Sequence, residues 1–258
     1  MAAGIPMAQV AGSKTSVYCA NFARDQETIV PRDPEYQSQY QSTATGYALL
    51  SNRISHFCHL KGPSLTPEAI GIVLDNSNFL SKDGRCFSFD HRANGYGRGE
   101  GFGFVLIKKL TDAIRDGDCI RAVICGTGTN QDGQTPSITQ PGPDAQCALI
   151  RDTYERAGLG FEQTQFMEAH GTGTLVADPI EAGAIGETFR PSRKEPLYIG
   201  SVKFNIGHLE DATGLAGLIK IVLALEKGVI PPNADFEKVN PALDLDGLKL
   251  RIPTKAVP

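Results

Sequence analysis

A histidine on a glycine-threonine loop between a strand and a helix is well placed for chemistry. This sequence has one at Glu168-Ala169-His170-Gly171-Thr172-Gly173-Thr174. An imidazole changes charge near neutral pH, so it can donate a hydrogen bond, accept one or carry a proton. Gln165 to Met167 reads as the end of a strand, and Gly171 and Gly173 let the backbone turn sharply while a ligand approaches. Asp178, Pro179 and Glu181 stand where the N-cap, the first helical residue and the N3 residue would stand, which predicts a capping-box start. Ligands of open α/β sheets bind beyond the carboxyl ends of strands, where His170 falls. A lone histidine there is more often structural than functional. What shifts the balance is a second copy of the arrangement. Leu197 to Ser201 reads as another strand, followed by Val202-Lys203-Phe204-Asn205-Ile206-Gly207-His208 and an apolar helix from Gly214 to about Glu226.

The elements that must position these residues follow from periodicity and turn chemistry. Thr15 to Ala20 is a short β-type run; the Gly12-Ser13-Lys14-Thr15 turn before it is no phosphate loop, because the lysine does not directly follow the glycine. Arg24 to Gln41 reads as a polar loop. Tyr47, Leu50, Ile54 and Phe57 then predict a helix from about Thr43, with His56 and His59 as surface or structural histidines. Gly62 to Thr66 looks like a turn entering a strand, and Pro67 to Asn78 is a brief apolar segment. Phe79 to Gly101 carries many glycines, none in a G-x-G-x-x-G register, and is read as a tightly turned loop lining a cleft. Strands are expected at Phe102 to Ile107, Ile120 to Gly126 and Leu248 to Ile252, and helices at Leu110 to Gly117 and Asp144 to Ala157. The alternation of strand and helix up to Lys227 argues for right-handed crossovers and a largely parallel sheet.

Composition narrows the classes. The 258 residues are 41% hydrophobic with a net charge of -4 and no basic run, which argues against nucleic acid or an anionic membrane as partner. No apolar run reaches membrane-spanning length, and the start, Met1 to Val10, has no signal-peptide pattern. The six cysteines (19, 58, 86, 119, 125 and 147) show neither CxxC pairing nor metal-ligand spacing, so reduced thiols in a cytoplasmic protein are expected.

Taken together, Glu168 to Thr174, Asp178-Pro179-Ile180-Glu181-Ala182, Gly200 to Lys203, Asn205 to Glu210, Gly126 to Gly133 and the loop from Phe89-Asp90 to Gly101 resemble a β-ketoacyl synthase domain of a fungal highly reducing type I polyketide synthase. The resemblance runs almost end to end, with the motifs in the family's order. It implies an α/β, thiolase-like α/β/α/β/α layered fold of two pseudo-repeated halves. Residues 1–117 would be the remnant of the N-terminal half, and residues 118–258 the C-terminal half with both histidine motifs. It also implies a decarboxylative condensation, in which a cysteine-bound acyl chain is attacked by the carbanion left when a malonyl-type extender loses carbon dioxide. The substrates would arrive on the phosphopantetheine of an acyl carrier domain, with no cofactor or metal held by this domain, and the family works as a homodimer. By motif match, His170 and His208 would donate hydrogen bonds to the enolate oxygen, as in an oxyanion hole. Lys203 would match the family's active-site lysine, with an electrostatic and orienting part.

The same resemblance exposes a gap. Covalent catalysis needs an activated thiol, and the family carries it in a Thr-Ala-Cys-Ser-Ser-Ser type elbow shortly after the Gly-Pro-Ser-Leu-Thr strand. Here the chain passes from Thr66 to Pro67 and on to residues that the family carries a few tens of positions later. The nucleophilic cysteine, its helix and the next strand are missing, and none of the six cysteines replaces it. Against the family pattern, the first strands and helices and the glycine-rich closing segment are also expected to be absent. The chain alone is therefore expected not to condense, and to expose apolar surface and unpaired strand edges. Two other readings compete: a non-catalytic partner of an intact synthase, and a metal hydrolase built from His170, His208, Glu168 and Asp178. The second lacks close His-x-His or His-x-x-x-His spacing.

Overall fold

Parallel strands need a crossover, and the alternation after residue 160 supplies two. The computed structural model describes residues 6–19, 48–61, 64–65, 79–136 and 140–258. The loop expected at Arg24 to Gln41, the first turn expected from Thr43 and the segment Pro67 to Asn78 lie outside the described residues. The chain divides into two units, Met1–Asn76 with Phe104–Ile120, and Ser77–Gly103 with Arg121–Pro258.

In the first unit, α1 (Met7–Val10), β1 (Val17–Tyr18), α2 (Ala48–Phe57), β2 (Ser64–Leu65) and α3 (Leu110–Asp116) follow in order. β1 runs parallel to β2, with Val17 opposite Ser64. Gly117 ends α3 in the left-handed conformation, φ 69°, where a side chain would be strained.

The second unit holds α4 (Pro143–Ala157), β3 (Phe166–Glu168), α5 (Ala177–Phe189), β4 (Leu197–Gly200), α6 (Lys203–Ile206), α7 (Thr213–Lys227) and β5 (Leu250–Arg251). Its strands form a parallel sheet in the order β3-β4-β5, with Phe166 opposite Tyr198 and Leu197 opposite Leu250. Leu197 and Ile199 of β4 are buried and pack with Ala182, Ile185 and Phe189 of α5. Phe189 in turn meets Tyr154 and Phe161 edge-on, with ring centroids 5.5 and 5.1 Å away. Helix α5 buries most of its circumference, as expected of an element enclosed by the core.

Two expected features differ. Residues 102–107 and 120–126 form no strand. A strand persists only where a neighbour takes up its backbone hydrogen bonds, and among the described residues neither stretch has one. Their apolar side chains face solvent, with Phe102 94% and Phe104 75% exposed. Apolar surface is thus exposed along both stretches. Beside it, Gly101, Phe102, Ile206, Leu209, Ile219 and Leu223 line a groove of about 350 Å³. The second difference is the start of α5. Val176 stands at the cap position, no side chain caps the helix, and Asp178 already lies inside the first turn. Asp178 and Glu181 turn away from their own helix end because the preceding loop offers them backbone N–H groups to bind.

Candidate active site

The loop after β3 is shaped by what its backbone must avoid. Gly171 has φ 46°, and a Cβ there would lie 2.8 Å from Cβ of Ser201. Gly173 has φ 83°, and a Cβ there would lie 2.5 Å from the Phe87 nitrogen. Only glycine meets both the dihedral angles and the close approach.

Carboxylates from α5 hold this loop. Glu181 accepts the N–H of His170 at 2.6 Å and that of Gly171 at 2.8 Å. Asp178, 1% exposed, accepts N–H groups from Phe89 at 2.8 Å, Gly173 at 3.1 Å and Thr174 at 3.4 Å. Burial pushes Asp178 up to about 7, against the pull of those donors. From the other side, Lys203 Nζ donates to the His170 carbonyl at 2.6 Å, and Ser201 Oγ donates to it at 3.1 Å. Lys203 is 2% exposed, and its burial lowers the ammonium pKa while Glu181 and Glu168 oppose that shift. The His170 peptide is thus pinned at its N–H and at its carbonyl, which fixes where the ring starts.

His208 reaches the same place from the loop between α6 and α7. Its N–H donates to Gly97 at 2.8 Å and its carbonyl accepts from Gly99 at 2.9 Å, so the glycine-rich loop lies beside this histidine. The rings of His170 and His208 stand perpendicular, with centroids 5.4 Å apart. His208 Nδ1 accepts the Glu210 backbone N–H at 2.9 Å and lies 3.2 Å from Thr213 Oγ1. A backbone N–H can only donate, so Nδ1 carries no proton and Nε2–H is the donor. Burial holds His208 at about 3, with Lys203, His170 and Arg98 acting the same way. His170 is open to solvent at its surface, yet the surrounding protein and the Lys203 charge hold it at about 4. Both rings are neutral at pH 7.

The sequence-derived site residues His170, His208 and Lys203 therefore come together. Glu168 is engaged elsewhere: it accepts the Val202 N–H at 2.5 Å and pairs with Lys220 at 2.6 Å. Asp178 is spent on backbone donors, and among the described residues no group of histidine, cysteine or carboxylate side chains could hold a metal. Sequence reasoning missed Ser201 and the bracing parts of Asp178 and Glu181. Ser201 carried a readable signal, as the last residue of an expected strand directly before Val202-Lys203.

All six cysteines are free thiols. Cys86 comes nearest in environment to the histidine pair, since the Lys203 charge and the His208 backbone both act on it. Its Sγ donates to the Gly97 carbonyl at 3.3 Å, and burial pushes the thiol up to about 11. It stays a protonated core thiol, where a nucleophile needs the thiolate.

The same loop is fastened by Asp90. Its buried carboxylate accepts Arg92 Nε at 2.9 Å and the Glu237 N–H at 2.8 Å, and His91 Nδ1 lies 2.9 Å away. Burial alone would raise Asp90, but the Arg92 hydrogen bonds and the Glu237 N–H outweigh it and hold the group at about 2. The folded value lies below the unfolded one, so its stabilisation is complete above about pH 4 and is lost as pH falls through about 2. Urea midpoints between pH 5 and 2 are expected to drop by an amount equivalent to about 2 kcal/mol, and Asp90→Asn to remove that part of the slope. An Asp90→Asn slope matching the native one would count against this account.

The family model described as "Beta-ketoacyl synthase, C-terminal domain" matches residues 121–237. The model described as "Beta-ketoacyl synthase, N-terminal domain" matches in two pieces, residues 1–70 and 68–113, which overlap at residues 68–70. A highly reducing polyketide synthase of Emericella nidulans is 48% identical over 281 aligned positions, covering 98% of this chain and 11% of the relative. A reducing polyketide synthase of Gibberella moniliformis is 44% identical over 291 positions, covering 99% and 12%. Both alignments are longer than the 258-residue chain, so these relatives carry residues with no counterpart here. Among solved structures, the ketosynthase from module 6 of the bacillaene synthase of Bacillus subtilis 168 superposes with a TM-score of 0.89 at 30% identity, covering 99% of this chain and 50% of that one. The chain thus spans about half of that ketosynthase and about a tenth of the polyketide synthases it matches.

Proposed function

Since this chain belongs to the β-ketoacyl synthase family, with the thiolase-like α/β fold of ketosynthases, we propose that it keeps the decarboxylating half of the condensing site without the half that holds the acyl chain. In this reading, a malonyl thioester presented on the phosphopantetheine of an acyl carrier domain places its thioester oxygen between His170 and His208. Loss of carbon dioxide builds negative charge on that oxygen, and the two imidazole N–H groups stabilise it as it forms. Neutral rings suit the task, because a donor must keep its proton while the charge develops. Lys203 orients His170 through its carbonyl and adds positive charge nearby. A carrier domain as partner, a family-type homodimer and a cytoplasmic setting belong to the same proposal, the last resting on the free thiols. Among the described residues, no helix is long and apolar enough to cross a membrane.

The observation that carries this reading is the pair of neutral imidazoles 5.4 Å apart, one with its Nε2–H fixed by a backbone donor. Carbon dioxide release from a malonyl thioester tests it. His170→Ala and His208→Ala are each expected to lower the rate by about a hundred-fold or more. Decarboxylation that is undiminished in both variants would remove the histidines from the chemistry.

A further inference from the structure

Helix α6, which begins at Lys203, is too short to stand alone. Its four residues cannot repay the cost of nucleating a helix, and the N–H groups that lead into a helix find no partner within it. Its cap residue, Val202, has no side chain able to bind them. Three other side chains do so. Asn233 Oδ1 accepts the Ser201 N–H at 3.3 Å, Glu168 Oε1 accepts the Val202 N–H at 2.5 Å, and Ser201 Oγ accepts the Lys203 N–H at 3.3 Å. The contact to Glu168 is the shortest, and its acceptor is a carboxylate.

Glu168 ends β3 two residues before His170, and α7 holds its side chain from the other side. Lys220 Nζ lies 2.6 Å from Glu168 Oε2, with both side chains only 10% exposed. Neither atom has a hydrogen bond elsewhere among the described residues, so each depends on the other for its charge. A Cβ on Gly217, one turn before Lys220, would stand 3.2 Å from Glu168 Cγ, which leaves the carboxylate little room to swing. One side chain thus joins the strand end that leads to His170, the start of the segment that carries Lys203 and ends at His208, and α7.

We propose that Glu168 is a positioning residue for His170, Lys203 and His208, with Lys220 as the charge that keeps its carboxylate in place: by accepting the Val202 N–H, Glu168 fixes the segment Val202 to His208 against the end of β3. Stability alone does not account for the pair, because a buried ion pair exchanged for apolar side chains of similar size often costs nothing. An apolar pair would not accept the Val202 N–H. The inference rests on the parts given to the two histidines and Lys203 above, so two of its readouts need no reaction.

Two double variants of the full chain separate the accepted hydrogen bond from the buried charge. Glu168→Leu with Lys220→Met removes both charges and the acceptor. Glu168→Gln with Lys220→Met removes both charges and keeps an acceptor oxygen. The first is expected to lose about a hundred-fold in kcat for carbon dioxide release from a malonyl thioester, with KM near native. In NMR spectra its Val202 amide proton, slow to exchange in the native chain, should exchange freely. Cross-peaks between the His170 and His208 ring protons should weaken. The second variant should recover most of the native kcat, the amide protection and the cross-peaks. A merely structural pair would leave the two variants alike in kcat. A native kcat with a protected Val202 amide in the first variant, or a second variant as damaged as the first, would overturn the proposal. Absence of carbon dioxide release from the native chain would count against the reading of the site, and the amide and the ring cross-peaks would then decide this one. Should the first variant not fold, a Val202 amide exchanging at the rate of a free peptide in the native chain or in the second variant would sink it.

Discussion

Supplied with an acyl carrier and a malonyl carrier substrate, the purified chain is expected to form no β-ketoacyl product. Condensation needs the acyl group held against the nascent carbanion, and intramolecular placement of that kind is worth about five orders of magnitude or more in effective concentration. The group that would hold it is a thiolate. Cys86, hydrogen-bonded to the Gly97 carbonyl near His208, is kept protonated by burial, at about 11. Cys119 and Cys125 lie exposed outside the histidine loops. Inserting a cysteine-elbow segment of the family type between Thr66 and Pro67 is expected to restore condensation. The same insertion with its elbow cysteine changed to alanine is expected to leave decarboxylation alone. Ketoacyl product from the chain without an insertion would refute the account of the missing nucleophile.

The second large effect falls on stability. Asp178→Ala removes the acceptor for three backbone N–H groups, those of Phe89, Gly173 and Thr174, at a position that is almost fully buried. Each donor left without a partner costs about 1–3 kcal/mol, with some relief from water entering the gap. A loss of about 3–5 kcal/mol in urea unfolding is expected. Asp178→Asn keeps one acceptor oxygen and should lose less. An alanine variant within about 0.5 kcal/mol of the native protein would mean that the loop does not depend on this carboxylate.

Local motifs are carried by residue order, and contacts between distant segments are not. Family and fold class were legible because the motifs are local: a strand end, a glycine loop and the residues that follow at fixed spacing. The helices at Leu110, Asp144 and Gly214 were legible because an apolar face recurs along a single element, and the observed α3, α4 and α7 lie within a residue or so of expectation. The elbow expected to be missing after Thr66 is read from motif order, which needs no geometry.

Asp178 and Glu181 show where local reading stops. Their spacing is that of a capping box, and a capping box is what isolated helix chemistry favours. In the fold, the loop of His170 to Thr174 has its own unpaired N–H groups closer to hand, and the carboxylates satisfy those instead. Residues 102–107 and 120–126 fail for the complementary reason: alternation of side chains marks a strand, but only a neighbouring backbone makes one. The sequence by itself determined the family and, by motif match, singled out His170, His208 and Lys203 as the residues to examine. Tertiary structure alone decided that the rings meet at 5.4 Å, that both are neutral and that His208 donates through Nε2. Ring charge and tautomer depend on burial and on contacts from distant parts of the chain, which residue order does not encode locally.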